Sequence, residues 1–289
     1  MHLTDNIRGN MDKGNYVGMI LLDLQKAFDT VNHDILLGKL KAIGMSSNAV
    51  NWFASYLSDR KQLVDISGIS SSLDNITCGV PQGSILGPLL FLIYVNDMEI
   101  AVNCKLLLYA DDSTLLIPGK NLNDIQNLLS KELSSVSEWL VDNKLSLHLG
   151  KTEAILFGTK RKTRNNVSLN IVCNGTTLAK KCNVKYLGAE LDQSLNGEVM
   201  AGKVLSKVYG RLKFLYRKSG FLDYHSKKLL ASALIQCHYD YACSFWYSSL
   251  TKRTKSKLQI SQNKVIRFIT YILNLQPRTH LSSEHFIHR

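Results

Sequence analysis

The chain has 289 residues, 45% of them hydrophobic, which is enough for a large core in one domain with an appendage. No apolar run approaches the roughly 20 residues that a membrane helix needs, and the first residues lack the pattern of a signal peptide. The 6 cysteines show neither a disulfide framework nor the spacing of a zinc site. We therefore expect an intracellular protein that is not secreted and has no membrane anchor.

The net charge of +12 is distributed unevenly along the chain. Residues 1–115 contain 8 Lys and Arg against 12 Asp and Glu, whereas residues 116–289 contain 27 against 11. Such an asymmetry is expected of a surface that follows a phosphate backbone. A helical face that is simply solvated is the alternative interpretation.

Hydrophobic periodicity, capping residues and turn residues predict an α+β chain. A strand that ends at Asp23 is followed by two helices, a turn at Pro81-Gln82-Gly83 and a further helix to Asn96. Residues 195–289 are helical and basic, with 16 Lys and Arg against 4 Asp and Glu. The other predicted elements are a hairpin over 104–117, a helix over 122–143 and strands at 145–147, 154–157 and 184–191. The candidate N-caps of the two helices after Asp23 are Asn32 or Asp34 and Ser46 or Ser47.

The predicted hairpin carries Asp111 and Asp112 side by side at its tip. Ordinary turn-forming acids are one explanation, because aspartate is common in turns. Adjacent carboxylates between apolar strands nevertheless repel each other and resist desolvation, so both stay ionised only beside a cation or hydrogen-bond donors. A site with two metal ions about 3.5–4 Å apart needs carboxylates from a second segment. Asp23, at the end of its own apolar strand, supplies one.

Three motifs resemble those of reverse transcriptases, and in particular those of non-LTR (LINE-type) retrotransposons. They are Leu22-Asp23-Leu24-Gln25-Lys26-Ala27-Phe28-Asp29, Val80-Pro81-Gln82-Gly83-Ser84-Ile85-Leu86-Gly87-Pro88 and Tyr109-Ala110-Asp111-Asp112, in this order and at suitable spacing. The resemblance extends through Lys151, Tyr186-Leu187-Gly188 and the basic tail, so it covers nearly the whole chain. One Asp-Asp turn would be weak support, whereas three motifs in register are specific.

The resemblance implies a right-hand polymerase. Its palm, with an antiparallel sheet and helices, would occupy residues 1–194, and an α-helical thumb would follow in residues 195–289. The implied activity is that of an RNA-directed DNA polymerase, which uses Mg²⁺, an RNA template, a DNA primer and deoxynucleoside triphosphates. The implied location is the nucleus or the cytoplasm, as a ribonucleoprotein.

The family's pattern assigns the catalytic roles to four residues. Asp23 and Asp111 match the carboxylates that hold both magnesium ions, and Asp112 supports the site less directly. Lys151 matches a lysine proposed to act as general acid toward pyrophosphate. The alternatives are an ordinary acid at a strand end for Asp23 and a solvated lysine for Lys151.

Five further residues match substrate contacts in the family. Phe28 takes the place of the bulky side chain under the sugar, where a ring would clash with a ribose 2′-hydroxyl. Gln82 and Gly83 match the loop that contacts template and nucleotide, where glycine lets the backbone approach closely. Tyr186 and Gly188 match the hairpin that grips the primer end. A core aromatic is the alternative for Phe28, and a common strand-and-turn pair is the alternative for Tyr186 with Gly188.

The chain also departs from the family's pattern. Only 22 residues precede Asp23, where a reverse transcriptase has fingers whose basic residues hold the triphosphate, and Arg8 and Lys13 do not match them. The sequence therefore predicts an N-terminally truncated element, without fingers or endonuclease, whose polymerase activity is impaired. The rival interpretations are a group II intron-like or other palm polymerase and a catalytically inactive nucleic-acid-binding remnant.

Overall fold

A computed structural model describes residues 2–163 and 169–270 of the chain. The chain divides into two compact units, of which the first is His2–Leu187 and the second begins at Gly188. In the described ranges no helix is both long enough and apolar enough to cross a membrane.

The first unit combines helices with a sheet, as the sequence predicts. Its helices are α1 (His2–Asp12), α2 (His33–Ala42), α3 (Ser47–Leu57), α4 (Leu86–Val95), α5 (Leu122–Asp142) and α6 (Lys160–Thr163), with a 3₁₀ helix at Asn96–Ala101. Its strands are β1 (Tyr16–Leu22), β2 (Lys61–Gln62), β3 (Asp65–Ile66), β4 (Ile69–Ser70), β5 (Asp74–Asn75), β6 (Lys105–Tyr109), β7 (Asp112–Gly119), β8 (Glu153–Phe157), β9 (Val172–Cys173), β10 (Thr176–Thr177), β11 (Ala179–Lys180) and β12 (Asn183–Tyr186).

Side-chain caps fix where the helices after the first strand begin. The Asn32 side chain accepts a hydrogen bond from the backbone N–H of Ile35, and the Ser46 side chain accepts one from Ala49. Each bond satisfies one of the free N–H groups of a helix N-terminus, and this selects Asn32 and Ser46 from the predicted pairs.

The main sheet has β1 at its centre, in the strand order β11-β8-β1-β7-β6. β1 pairs antiparallel with both β7 and β8, and β7 pairs antiparallel with β6. Only β11 of this sheet is parallel to its neighbour, β8. Val17, Met19 and Ile20 are fully buried because β1 is covered on both faces, which explains its continuous apolar run. The predicted α+β fold with an antiparallel palm sheet is confirmed.

Helix α5 covers this sheet. Its buried residues recur at three- and four-residue intervals and form one apolar stripe: Ile125, Leu129, Leu133, Val136 and Leu140. Gly18 of β1 lies directly beneath the stripe, since a Cβ there would come within 2.6 Å of side-chain atoms of Ile125 and Leu129. Close contact of this kind holds the central strand in place.

Two predicted strands differ in the structure. Residues 145–147 form no strand, and Leu147 makes only an isolated bridge with Leu24. The segment 184–191 is interrupted at Leu187 and Gly188, whose φ angles of +44° and +83° are incompatible with an extended strand.

The second unit is mainly helical, as the sequence predicts. Its elements are β13 (Ala189–Asp192), α7 (Glu198–Lys218), a 3₁₀ turn (Ser219–Phe221), α8 (Tyr224–Ala231), a π-helical turn (Ser232–Gln236), α9 (Cys237–Asp240), α10 (Cys243–Trp246) and α11 (Lys252–Thr270). The proposed boundary between residues 194 and 195 stays a prediction. Residues 271–289 of the expected thumb lie outside the described residues.

Candidate active site

The sheet brings Asp23, Asp111 and Asp112 together. Leu22, the last residue of β1, pairs with Ser113 of β7, so Asp23 follows on the side of Asp112. Tyr109 pairs with Asp112 in the hairpin of β6 and β7, and Asp111 occupies the two-residue turn between them. Three acids from two distant segments therefore lie at the same end of adjacent strands.

The charges of these acids act on one another. The pKa of Asp112 is raised, first by burial and then by the negative charges of Asp111 and Asp23. The nearby positive charge of Lys185 opposes this shift. Bringing carboxylates together costs free energy that a bound cation would offset.

A loop between α5 and β8 holds Asp23 by its backbone. The Asp23 carbonyl accepts a hydrogen bond from His148 N at 2.7 Å, and its N–H donates to Thr152 Oγ1 at 3.4 Å. Thr152 is fully buried, and its hydroxyl donates to the His148 carbonyl at 3.1 Å. Lys151 is exposed in the same loop, where its N–H donates to His148 O at 3.0 Å. The structure thus places Lys151 beside the segment that carries Asp23.

Replacing Thr152 with valine should destabilise this anchor. Valine keeps the side-chain shape but has no hydroxyl, so the Asp23 N–H loses the acceptor that Thr152 provides. We expect the free energy of unfolding to fall by about 1–2 kcal/mol, the usual cost of an unpaired polar group in a buried place. Urea denaturation measures it. Thr152→Ser keeps the hydroxyl and loses the methyl group, so it separates the effect of the hydrogen bond from the effect of packing. Equal stability of wild type and Thr152→Val would contradict the expectation.

Phe28, Gln82, Gly83 and Asp111 line one cavity of about 450 Å³. The structure therefore brings together four of the predicted site residues from three segments of the chain. Phe28 is half-buried, and its ring packs on Phe91 of α4 with centroids 4.5 Å apart. The other lining residues are Leu24, Lys26, Ala27, Pro81 and Pro88.

The segment before Gln82 is fastened to the segment after Phe28. Val80 N donates to the Phe28 carbonyl at 2.8 Å, and Gly79 N donates to the Val31 carbonyl at 2.7 Å. The Gln82 side chain donates from Nε2 to Asp29 Oδ1 at 2.7 Å. Asp29 thus orients Gln82, a role that the sequence did not indicate because no local signal links residues so far apart in the chain.

Gly79 is required where these segments meet. Its φ is +89°, and a Cβ there would lie 2.7 Å from the Asp29 carbonyl oxygen. We expect Gly79→Ala to reduce the free energy of unfolding by at least about 2 kcal/mol through backbone strain and this clash. Gly14→Ala is the matched control, because Gly14 has a similar φ of +74° but open space around it. Thermal or urea denaturation compares the two, and an equal loss would show that the clash has no effect.

A second, larger cavity of about 630 Å³ adjoins the first, since Lys26, Pro81 and Gln82 line both. Arg60 contributes a second cation to its lining. No sequence pattern predicts this cavity, because its residues come from the loop after β1, the loop after α3 and the segment before α4.

The two predicted primer-grip residues fall in different units. Burial raises the pKa of Tyr186, and the charge of Asp112 raises it further, so Tyr186 lies near the acids. Gly188 begins the second unit and has a φ of +83°, with the Tyr241 hydroxyl 3.2 Å from the position that a Cβ would take.

The acids suit a hard divalent cation in their chemistry. Carboxylate oxygens are preferred ligands of Mg²⁺, which commonly takes one or two carboxylates and completes its shell with water and substrate phosphates. In the part of the chain that the structure describes, no group of three or more His, Cys, Asp or Glu side chains is arranged so that it could hold a metal ion. The assignment of Asp23, Asp111 and Asp112 as metal ligands therefore stays a prediction.

The sheet, its acids and the helical second unit define the fold of a right-hand polymerase. Residues 1–191 match the family model described as reverse transcriptase (RNA-dependent DNA polymerase). The chain belongs to the reverse transcriptase family. Enzymes of this family generally use divalent metal ions.

Relatives agree with this assignment. A probable RNA-directed DNA polymerase from transposon BS of Drosophila melanogaster is 29% identical over 93% of this chain and 30% of its own length. The RNA-directed DNA polymerase from mobile element jockey of Drosophila funebris is 34% identical over 64% of this chain and 20% of its own length. The predicted relationship to non-LTR retrotransposons is confirmed. The chain spans less than a third of these relatives.

Proposed function

We propose that the chain carries out RNA-templated DNA synthesis by Mg²⁺-dependent nucleotidyl transfer, with the impaired activity that the sequence predicts. One observation supports this most strongly: the cavity that Asp111 lines is also lined by Phe28 and Gln82, the residues expected at the sugar and at the template. The reaction would join the primer 3′-oxygen to the α-phosphate of a deoxynucleoside triphosphate and release pyrophosphate.

Asp23 and Asp111 would hold the magnesium ions, with Asp112 beside them. When bound, the metal supplies charge stabilisation and aligns the reacting groups. Lys151, in the loop that anchors Asp23, would donate a proton to the leaving pyrophosphate.

The other site residues would position the substrates. Phe28 would lie under the sugar and exclude a 2′-hydroxyl, and Gln82, oriented by Asp29, would contact template and nucleotide with Gly83. Tyr186 and Gly188 would hold the primer end. The proposal implies a ribonucleoprotein in the nucleus or cytoplasm.

Primer extension tests the proposed reaction. The assay uses the purified chain with an RNA template, a DNA primer, deoxynucleotides and Mg²⁺, beside an Asp111→Ala/Asp112→Ala variant. Extension by the unmodified chain that is lost in the variant supports the proposal. Retained binding of primer–template without extension would favour the alternative, a protein that binds nucleic acid without copying it.

The second unit offers a surface for the phosphate backbone. Lys207 and Arg211 are exposed on α7, and their positive charges add to burial in lowering the pKa of His238. We expect affinity for duplex to fall steeply with salt, with a log–log slope near −0.9 for each phosphate neutralised. Lys207→Gln/Arg211→Gln should make that slope shallower by about 2. Fluorescence anisotropy at several salt concentrations measures it, and an affinity independent of salt would contradict the proposal.

A further inference from the structure

Helix α3 presents to solvent an aromatic side chain that the core does not need. Val50 and Leu57 are the buried residues of this helix, whereas Trp52 is 56% exposed. Of the other two tryptophans, Trp246 is fully buried and Trp139 is half-buried. A single exposed apolar residue is common on protein surfaces, so the arrangement around Trp52 decides what this side chain can do.

Trp52, Tyr56 and Arg60 follow one another at four-residue intervals and form a stack (the α3 stack). The Trp52 and Tyr56 rings are nearly parallel, with centroids 5.7 Å apart and an angle of 5° between their planes. The Arg60 guanidinium carbon lies 5.5 Å from the centre of the Tyr56 ring. Phe53 meets Trp52 nearly at a right angle, with centroids 5.1 Å apart. Because Phe53 and Tyr56 pack against the core, they hold the Trp52 ring in one orientation before a ligand binds.

The surroundings of the α3 stack are positively charged. Residues 40–62 contain three Lys and Arg against one Asp, although the first 115 residues as a whole contain more acids than bases. Lys61 is exposed next to Arg60, and Lys41 is exposed on α2, which packs against α3. Aromatic rings beside cations suit a single nucleic acid strand, which offers both base faces and phosphates. A duplex would hide its base faces, and an apolar protein segment would remove these cations from water without a partner.

We propose that the α3 stack binds unpaired bases of single-stranded RNA. A base stacks on the exposed Trp52 ring, and the cations around the α3 stack neutralise the adjoining phosphates. Trp52 and Tyr56 line neither of the two cavities, so this surface is separate from the proposed copying site. The choice of RNA rests on the proposed function, which brings an RNA strand to the chain. Every base has a face that can stack, so we expect little sequence specificity beyond a preference for the larger purine rings.

Binding of a short oligoadenylate, compared with an abasic RNA oligomer of the same length and charge, tests this inference. The two oligomers differ only in their bases, so the ratio of their affinities isolates stacking from the attraction of phosphates to the basic second unit. We expect wild type to bind the oligoadenylate about tenfold more tightly, and its tryptophan fluorescence to be quenched by the oligoadenylate alone. Trp52→Leu should lower the ratio at least about fivefold and change the affinity for the abasic oligomer less than about twofold, as measured by anisotropy of labelled oligomers. Trp52→Tyr, which keeps a ring, should retain most of the ratio.

Ile100→Ala is the matched control, because Ile100 is 86% exposed in the 3₁₀ helix of the same unit and should not affect the ratio. Trp52→Leu should unfold within about 2 °C of wild type, since the core does not use this side chain. An unchanged ratio in Trp52→Leu, no quenching by oligoadenylate, or tighter binding of oligodeoxyadenylate than of oligoadenylate would each overturn the inference. Primer extension run in parallel tests the proposed function separately. Extension with no effect of Trp52 on the ratio refutes the inference alone, and Trp52-dependent stacking without extension refutes catalysis alone.

Discussion

Asp111→Asn should lower the rate of nucleotide addition by at least about a thousandfold, because a metal-held transition state loses several kcal/mol when a charged ligand becomes neutral. Asparagine has nearly the same shape, so the hairpin turn should persist. Asp23→Asn should have an effect of similar size, since Asp23 lies on the adjacent strand at the same end of the sheet. Single-turnover primer extension in Mg²⁺ measures the rate.

The Asp111→Asn substitution should slow the chemical step without weakening the binding of primer–template. Affinity for primer–template should stay within about threefold of wild type, because removing one carboxylate from a cluster of like charges does not unfold the site. Asp34→Asn, an exposed acid in the first turn of α2, controls for the change in net charge. An Asp111→Asn rate within tenfold of wild type would remove Asp111 from the catalytic set.

Phe28→Val should reduce the preference for deoxynucleotides over ribonucleotides by at least about tenfold, because a smaller side chain leaves room for the 2′-hydroxyl. Phe28 lines the cavity with Asp111, and its ring is supported by Phe91, so it has a fixed position from which to exclude a substituent. The ratio of kcat/KM for the two sugars, measured with one template, gives the effect.

Phe28→Tyr is the matched control for this change. It keeps the ring and should keep the discrimination between sugars. In Phe28→Val we expect kcat/KM for ribonucleotides to rise, whereas kcat/KM for deoxynucleotides changes less. Equal selectivity of Phe28→Val and wild type would assign Phe28 to the core, where it packs on Phe91.

Much of the fold follows from local sequence pattern. The apolar run of β1, the stripe of α5 and the N-caps Asn32 and Ser46 act through neighbours a few residues away, so periodicity and capping rules predict them. The sequence also indicated which acids to consider, since Asp23, Asp111 and Asp112 each interrupt or end an apolar strand.

The arrangement of the site depends on contacts between distant segments. The pairing register of β1 and β7 places Asp23 beside the hairpin turn that carries Asp111. The Thr152 hydroxyl accepts a hydrogen bond from the Asp23 N–H, although the two residues are 129 positions apart in the sequence. The bond from Gln82 to Asp29 spans 53 residues. No local propensity encodes such pairs, because they form only when strands and loops pack.

Lys26 illustrates both contributions. The sequence places it inside a motif that resembles the family's, and only the folded chain shows its place in the lining of two cavities. Sequence by itself determined the residue types and the elements that carry them, while tertiary structure decided which charges share a space, because that depends on the close packing of segments far apart in the chain.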